Sequence, residues 1–278
     1  MKYIVDHDLH IHSTLSLCGN DPEQSPARIL QYALDNGYRQ ICLTDHFWDE
    51  RVPKNNTAWF AGWYDQQDYA HVCQNLPLPQ AEGVEFLFGV ETDMTLDLVV
   101  GISPERCDAF DFINIPISHF HQTDFTISKE DAATPEGVIA KFFEKMEAVL
   151  DRPLPYHKVG LAHLVSSKLC SQDMYVQVVK ALTCPRMAES FKKAAALGVG
   201  IELNTHALHF RNEEEEEAVV GFYRLAKECG CKFYFGTDAH TPGGFEGQKA
   251  VAERMVDLLG LTEEDKFRVR PGRKESIA

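Results

Sequence analysis

Two short strings at opposite ends of a 278-residue chain, Asp8-Leu9-His10-Ile11-His12 and Thr237-Asp238-Ala239-His240, each place two metal-capable side chains at i and i+2. On a β-strand that spacing puts both side chains on one face. Between them lie Thr44-Asp45-His46, Gly89-Val90-Glu91, Ser118-His119 and Ala162-His163, each following a short β-like apolar run. Imidazoles and carboxylates at the ends of so many strands converge on one point only if the strands line up around a common axis. That is the ligand arrangement of a multinuclear metal site.

The rest of the chain supplies such strands. Strand-like runs at Tyr3–Leu9, Arg39–Thr44, Val84–Val90, Phe110–Ile117, Lys158–Ala162, Val199–Leu203 and Lys232–Gly236 alternate with helical patterns. The helices are expected over Pro26–Asn36, Thr134–Leu150, Met187–Leu197, Glu213–Glu228 and Phe245–Leu259, several of them opened by Pro or stopped by Gly. Seven β-then-α units without a linker predict a parallel sheet in one large domain. Ligands at nearly every strand end make a closed barrel the simplest arrangement, with reactive groups at the C-terminal ends of the strands. The insert Trp48–Gln80 holds all three tryptophans and is too long for a plain connection. It reads either as a lid or substrate wall, or as one extra helix over the barrel mouth.

Charge and cysteines narrow the setting. With 42 acidic against 27 basic residues the net charge is −15, which argues against a general nucleic-acid or anionic-membrane partner. No run approaches the roughly 18 apolar residues of a membrane span. The first six residues reach an acid too soon for a secretory signal. Eight cysteines without framework spacing read as reduced thiols, so a cytoplasmic protein is expected.

Each candidate has its own weight. His10 and His12 together can chelate one ion, and Asp238-x-His240 after a second apolar strand strengthens the case. Glu91 ends a strand where an apolar residue belongs; a carboxylate there needs a cation, a metal or a Lys or Arg. His119 and His163 draw their value from recurrence at equivalent positions. His121 competes with His119 but lies farther from its strand. Asp8 and Asp45 read as groups that orient imidazoles, or as turn caps.

In order and spacing these motifs resemble those of the PHP (polymerase and histidinol phosphatase) family, over residues 4 to about 260. The resemblance implies a single-domain α/β fold over residues 1–278, a distorted (β/α)7 TIM-like barrel. It implies two or three divalent ions (zinc, manganese or iron) and phosphoester hydrolysis. His10, His12, Glu91 and Asp238 would hold one metal, Glu91 would bridge to a second held by His119 and His163, and His46 and His240 would hold a third. Where many members have another His for that third metal, the nearest residue here is Cys18, either a thiolate ligand or a small buried hydrophobe. The stretch Asn204–Arg211 resembles one in histidinol-phosphatase members. It makes Arg211 a candidate phosphate clamp, unless it pairs with the acidic run Glu213–Glu217, and His206 and His209 candidate substrate contacts.

The expected chemistry is metal-activated hydroxide attack on a small phosphomonoester, with histidinol phosphate, and hence histidine biosynthesis, as the first guess. Asp238 or His240 could shuttle the proton. The alternatives are a nucleotide or oligonucleotide phosphoesterase of the same fold, an amidohydrolase, or a non-catalytic metal-binding module. Glu91 in place of a bridging Lys, and Asp-x-His at the end, weigh against the amidohydrolase.

Overall fold

Seven parallel strands curl around a common axis in the computed structural model of the chain, which describes residues 1–19, 21–54, 56 and 58–269. In chain order the strands are β1 (His7–Ile11), β2 (Gln40–Leu43), the two-residue β3 (His46–Phe47), β4 (Glu85–Thr92), β5 (Phe112–Pro116), β6 (Val159–Ala162), β7 (Gly200–Asn204) and β8 (Lys232–Gly236). The hydrogen-bonded order is β1-β2-β4-β5-β6-β7-β8, with β3 beside the end of β4. Contact between β8 and β1 is made toward and just past their C-terminal ends. The Asp238 N–H donates to the His10 carbonyl at 2.7 Å, and the His12 N–H to the Ala239 carbonyl at 3.0 Å. The barrel is therefore nearly closed, a distorted (β/α)7 architecture in a single α/β domain.

The helices form where local chemistry starts and stops them. α1 (Pro26–Asn36) opens on Ser25, whose side chain accepts the Arg28 N–H, and ends at Gly37 with φ 67°. That left-handed turn suits glycine and ends the helix in register for β2. α2 (Trp59–Tyr64) and α3 (Tyr69–Val72) occupy the insert, and α4 (Pro104–Cys107) and α5 (Lys129–Ala132) are single turns. α6 (Pro135–Leu150) is capped by Thr134 and buries Val138, Phe142, Met146 and Val149, the stripe expected from the sequence. α7 (Tyr175–Leu182), α8 (Pro185–Leu197), α9 (Glu213–Glu228) and α10 (Gln248–Leu259) complete the outer ring. No helix among the described residues is long and apolar enough to cross a membrane.

Two differences from the sequence reading matter for the site. β1 begins at His7 rather than Tyr3 and runs through His10 to Ile11, with an irregular register between Asp8 and Ile11. The slip lets Leu9 join the barrel interior while His10 faces the mouth. α7 was not expected at all: its buried face, Tyr175, Val178, Val179 and Leu182, spans only eight residues, too few for a clear helical period.

Alternate residues divide the strands between two cores. Phe88 and Val90 of β4 and Phe233 and Phe235 of β8 pack outward among the helices. Leu87 and Tyr234 point inward with Leu9, Cys42 and Phe112, and Phe267 and Val269 join them. Phe267 is tied to β8 by its N–H to the Phe233 carbonyl at 2.8 Å. Apolar side chains thus fill the lower barrel, leaving its C-terminal end to polar ones.

Candidate metal centre

All eight candidate ligands meet at that C-terminal end. Four groups of donor atoms lie within 4.8 Å of one another: His10, His12, Glu91 and Asp238; Glu91, His119 and His163; His12, His46 and His240; and His10, His163 and Glu202. Each ligand comes from the end of its own strand, or from the residues just after it. His163 and Asp238 follow β6 and β8 with φ 56° each. A non-glycine residue in that region costs of order 1–3 kcal/mol. Here it is held by backbone bonds, from the His163 N–H to Glu202 Oε2 at 2.8 Å and from the Asp238 N–H to His10 O. The turn swings both side chains back over the mouth.

The hydrogen-bond partners fix which nitrogen of each ring is free. Glu202 Oε1 lies 2.6 Å from His10 Nδ1, and Asp93 lies 3.0 Å from His119 Nδ1. The Ser16 hydroxyl donates to Asp45 at 2.7 Å and so accepts from His12 Nδ1 at 2.8 Å. In each ring the partner takes the Nδ1–H, which leaves Nε2 turned toward the centre. His10 Nε2 and His12 Nε2 are nevertheless only 3.1 Å apart. Two lone pairs at that distance repel unless a proton or cation lies against them. His12 Nε2 is also 3.1 Å from Asp238 Oδ1, and His163 Nε2 is 2.8 Å from Glu91 Oε1.

Four further atoms point the same way. His46 Nδ1, Glu91 Oε2, His119 Nε2 and Asp238 Oδ1 are buried without a hydrogen-bond partner, although His46 Nδ1 comes within 2.9 Å of Glu91 Oε2. Orphaned buried donors and acceptors are costly, and here they face one another. Buried nitrogen and carboxylate donors gathered this closely fit divalent metal ions.

The electrostatics agree. Burial opposes charge on His10, but Glu202, Glu91 and Asp238 outweigh it and raise its pKa well above the usual range. Burial would neutralise Glu91, yet His10, His46 and His119 hold it well below the ordinary carboxylate range. Asp238 is held down against burial chiefly by Lys168 and His163. The centre demands positive charge.

Around it the other expected residues take different places. Arg211 pairs with Glu215 at 2.8 Å and lines a cavity of about 200 Å³ with His206 and His209. His206 also lines the cavity beside Asp238 and donates Nδ1–H to the Thr237 carbonyl at 2.7 Å. Cys18 is exposed at the rim; desolvation opposes its ionisation, but His46 and His240 pull its pKa down to about 6. Asp8 does not orient an imidazole: it accepts from the Thr237 hydroxyl at 2.8 Å and the Thr237 N–H at 3.0 Å, stitching β1 to β8. Asp45 does orient one, through Ser16.

Three residues at the site were not expected. Glu202 interrupts an apolar strand just as Glu91 does, and Asp93 follows Glu91 by two, just past the end of β4; both signals are in the sequence. Lys168, 2.9 Å from Asp238 Oδ2, sits in a loop with no motif around it.

Comparison with known proteins agrees with this geometry. The sequence pattern of the PHP domain matches residues 8–206. A search of curated protein sequences finds no match. Among solved structures, the chain is similar to histidinol phosphate phosphatase from Lactococcus lactis subsp. lactis, determined with zinc, L-histidinol and phosphate. The TM-score is 0.59 at 15% identity, covering 96% of this chain and all of that one (100%). It is also similar to a candidate histidinol phosphatase from Listeria monocytogenes, with TM-score 0.60 at 16% identity, covering 87% of this chain and 97% of that one. At such identities the likeness shows a shared fold. With the PHP pattern matched over more than half its length, the chain belongs to the PHP domain family.

Proposed function

We propose that the chain, read over residues 1–278 as one PHP domain, hydrolyses a small phosphomonoester, with histidinol phosphate the first substrate to test. The observation that carries this reading is the set of three imidazoles, His10, His12 and His119, held at Nδ1 by Glu202, Ser16 and Asp93 with Nε2 toward Glu91 and Asp238. The solved relative with L-histidinol and phosphate supports the substrate choice through its fold alone.

His10, His12, Glu91 and Asp238 would hold one divalent ion, and Glu91, His119 and His163 a second. His46 and His240, beside His12 and near Cys18, would hold a third. Zinc, manganese and iron all suit such donors. When bound, such ions supply Lewis acidity toward phosphate and a hydroxide nucleophile near neutral pH.

The chain's own groups do the rest. Lys168 lines both cavities flanking the centre and presents its ammonium where phosphate oxygens would rest. Arg211, on the far side of His206, would reach only an extended substrate. Of the two candidates for proton transfer, Asp238 is already engaged by Lys168 and His12. His240 donates Nδ1–H to the Asp238 carbonyl at 2.7 Å and lines the cavity; with the third ion absent, a protonated Nε2 would be placed to pass a proton to the leaving alkoxide. All eight cysteines are free, as in a reducing cytoplasm, the compartment we assign.

Metal analysis of the purified protein, with phosphate release from histidinol phosphate and a panel of nucleoside monophosphates, tests this. Two or three divalent ions per chain and release from histidinol phosphate are expected. Release from nucleotides alone would move the substrate to that class. No bound metal, and no release after adding zinc or manganese, would overturn the reading.

A further inference from the structure

We propose that the face of α2 carrying Trp59, Phe60 and Trp63 is a leaving-group pocket that stacks a flat, uncharged ring of the substrate. The inference rests on the phosphomonoester reading and says what the alcohol part of that ester looks like.

The helix is built to hold this face still. Ala61 and Tyr64 pack with Trp48 and Phe125 in a small core, and Phe60 and Trp63 lean against it. The Tyr64 hydroxyl donates to Asp93, which also holds His119. The aromatic face and a candidate ligand therefore share one anchor. Trp59, Phe60 and Trp63 line a cavity of about 380 Å³ whose floor includes His46, His119 and His240. The Trp63 ring lies 5.1 Å from that of His46, and Trp59 and Phe60 meet edge to face at 4.9 Å.

Trp59 is 71% exposed. An indole left in water beside a metal centre, with one face uncovered, has surface to gain by binding a ring. The charge of the cavity selects which kind. No Asp or Glu lines it among the described residues, although acids outnumber bases 42 to 27 in the chain, and its one permanent cation is Lys168. Aromatic walls also take quaternary ammonium groups, but such a group here would face the Lys168 ammonium, whose carboxylate partner Asp238, at 2.9 Å, does not line this cavity. An uncharged ring meets no such penalty.

The test compares Trp59→Ala and Trp63→Leu with the parent metal-loaded enzyme on uridine monophosphate, histidinol phosphate, glycerol phosphate and choline phosphate. Loss of one stacked ring is expected to raise KM for the two ring esters about tenfold while kcat and glycerol phosphate kinetics change less than twofold. Equal losses on all four esters, or none, would overturn the proposal, as would a loss confined to choline phosphate. Binding of the free alcohols gives a readout apart from turnover. Uridine and histidinol should quench tryptophan fluorescence of the parent and more weakly that of Trp59→Ala, and glycerol should quench neither. If quenching holds and no ester is hydrolysed, the phosphatase reading falls and the ring pocket stands. If esters are hydrolysed and no alcohol quenches, the ring pocket falls alone.

Discussion

Glu202 Oε1 reaches His10 Nδ1 at 2.6 Å from the opposite side of the strand order, β7 to β1, while its Oε2 accepts the His163 N–H at 2.8 Å. One buried carboxylate thus orients one ligand ring and holds the strained turn that carries another. Both of its oxygens accept. An amide in the same place can accept at only one of them, and its NH2 must face a donor. Glu202→Gln is therefore expected to fold yet bind metal 10- to 100-fold more weakly, the usual cost of losing such a partner. Zinc titration against a competing chelator reads this directly; unchanged affinity would remove Glu202 from the site.

Gly236, at the end of β8, is what lets that pair form. A Cβ there would lie well inside contact distance of both Glu202 Oε1 and His10 Cβ. Neither neighbour can yield, since both are fully buried. Gly236→Ala should cost roughly 1–3 kcal/mol of stability by overpacking and should weaken metal binding at least as much as Glu202→Gln. The double variant should then be little worse than Gly236→Ala in metal titration. Additive losses would mean the two act separately.

Asp93 accepts from His119 Nδ1, from Gln122 Nε2 at 3.1 Å and from the Tyr64 hydroxyl. Its pKa is drawn down to about 2, against burial, chiefly by His119. Asp93→Asn removes the charge that fixes His119 and should lower retention at the Glu91–His119–His163 group, leaving the His10–His12–Asp238 side loaded. Metal content after dialysis should fall by about one ion per chain. A fall to none would show that the groups fill only together.

How much of this was legible beforehand varies by element. The long helices and the seven strands announce themselves, because Ser25-Pro26, Thr134-Pro135 and the apolar runs are local signals. The ligands were legible too: His10, His12, Glu91 and Asp238 interrupt apolar strands, and burying them needs a reason. Glu202 carries the same signal as Glu91, but the residue two positions on is Asn204, not a second histidine or carboxylate. Asp8 went the other way. Its place before His10 suggested a ring partner, yet its carboxylate accepts from the N–H and hydroxyl of Thr237, just past the last strand. Lys168 and the α2 face have no local pattern, since their positions come from tertiary packing of long connections. Such contacts are set by the whole barrel.

Lys145 offers a prediction away from the metal. Its side chain is fully buried on α6, and Nζ donates to the Met94 carbonyl at 2.5 Å. Burial pushes its pKa down to about 7, with Asp93 opposing and Lys141 reinforcing the shift, from a value of 10.5 in the open chain. Between those two pH values the unfolded chain binds a proton that the folded one does not, so stability rises with pH across that window. Below about pH 7 both states are protonated and the buried charge weighs on the fold in full. Lys145→Met fills similar space without a charge but leaves the Met94 carbonyl unpaired, at about 1–3 kcal/mol. The variant should therefore be at its best relative to the parent near pH 6 and lose ground steadily toward pH 9.5, by roughly 1–3 kcal/mol in all. Urea unfolding at pH 6, 8 and 9.5 would show the two stability curves converging or crossing. Parallel curves would mean that Lys145 keeps its proton inside the fold, and that its buried charge is balanced by a group other than the Met94 carbonyl.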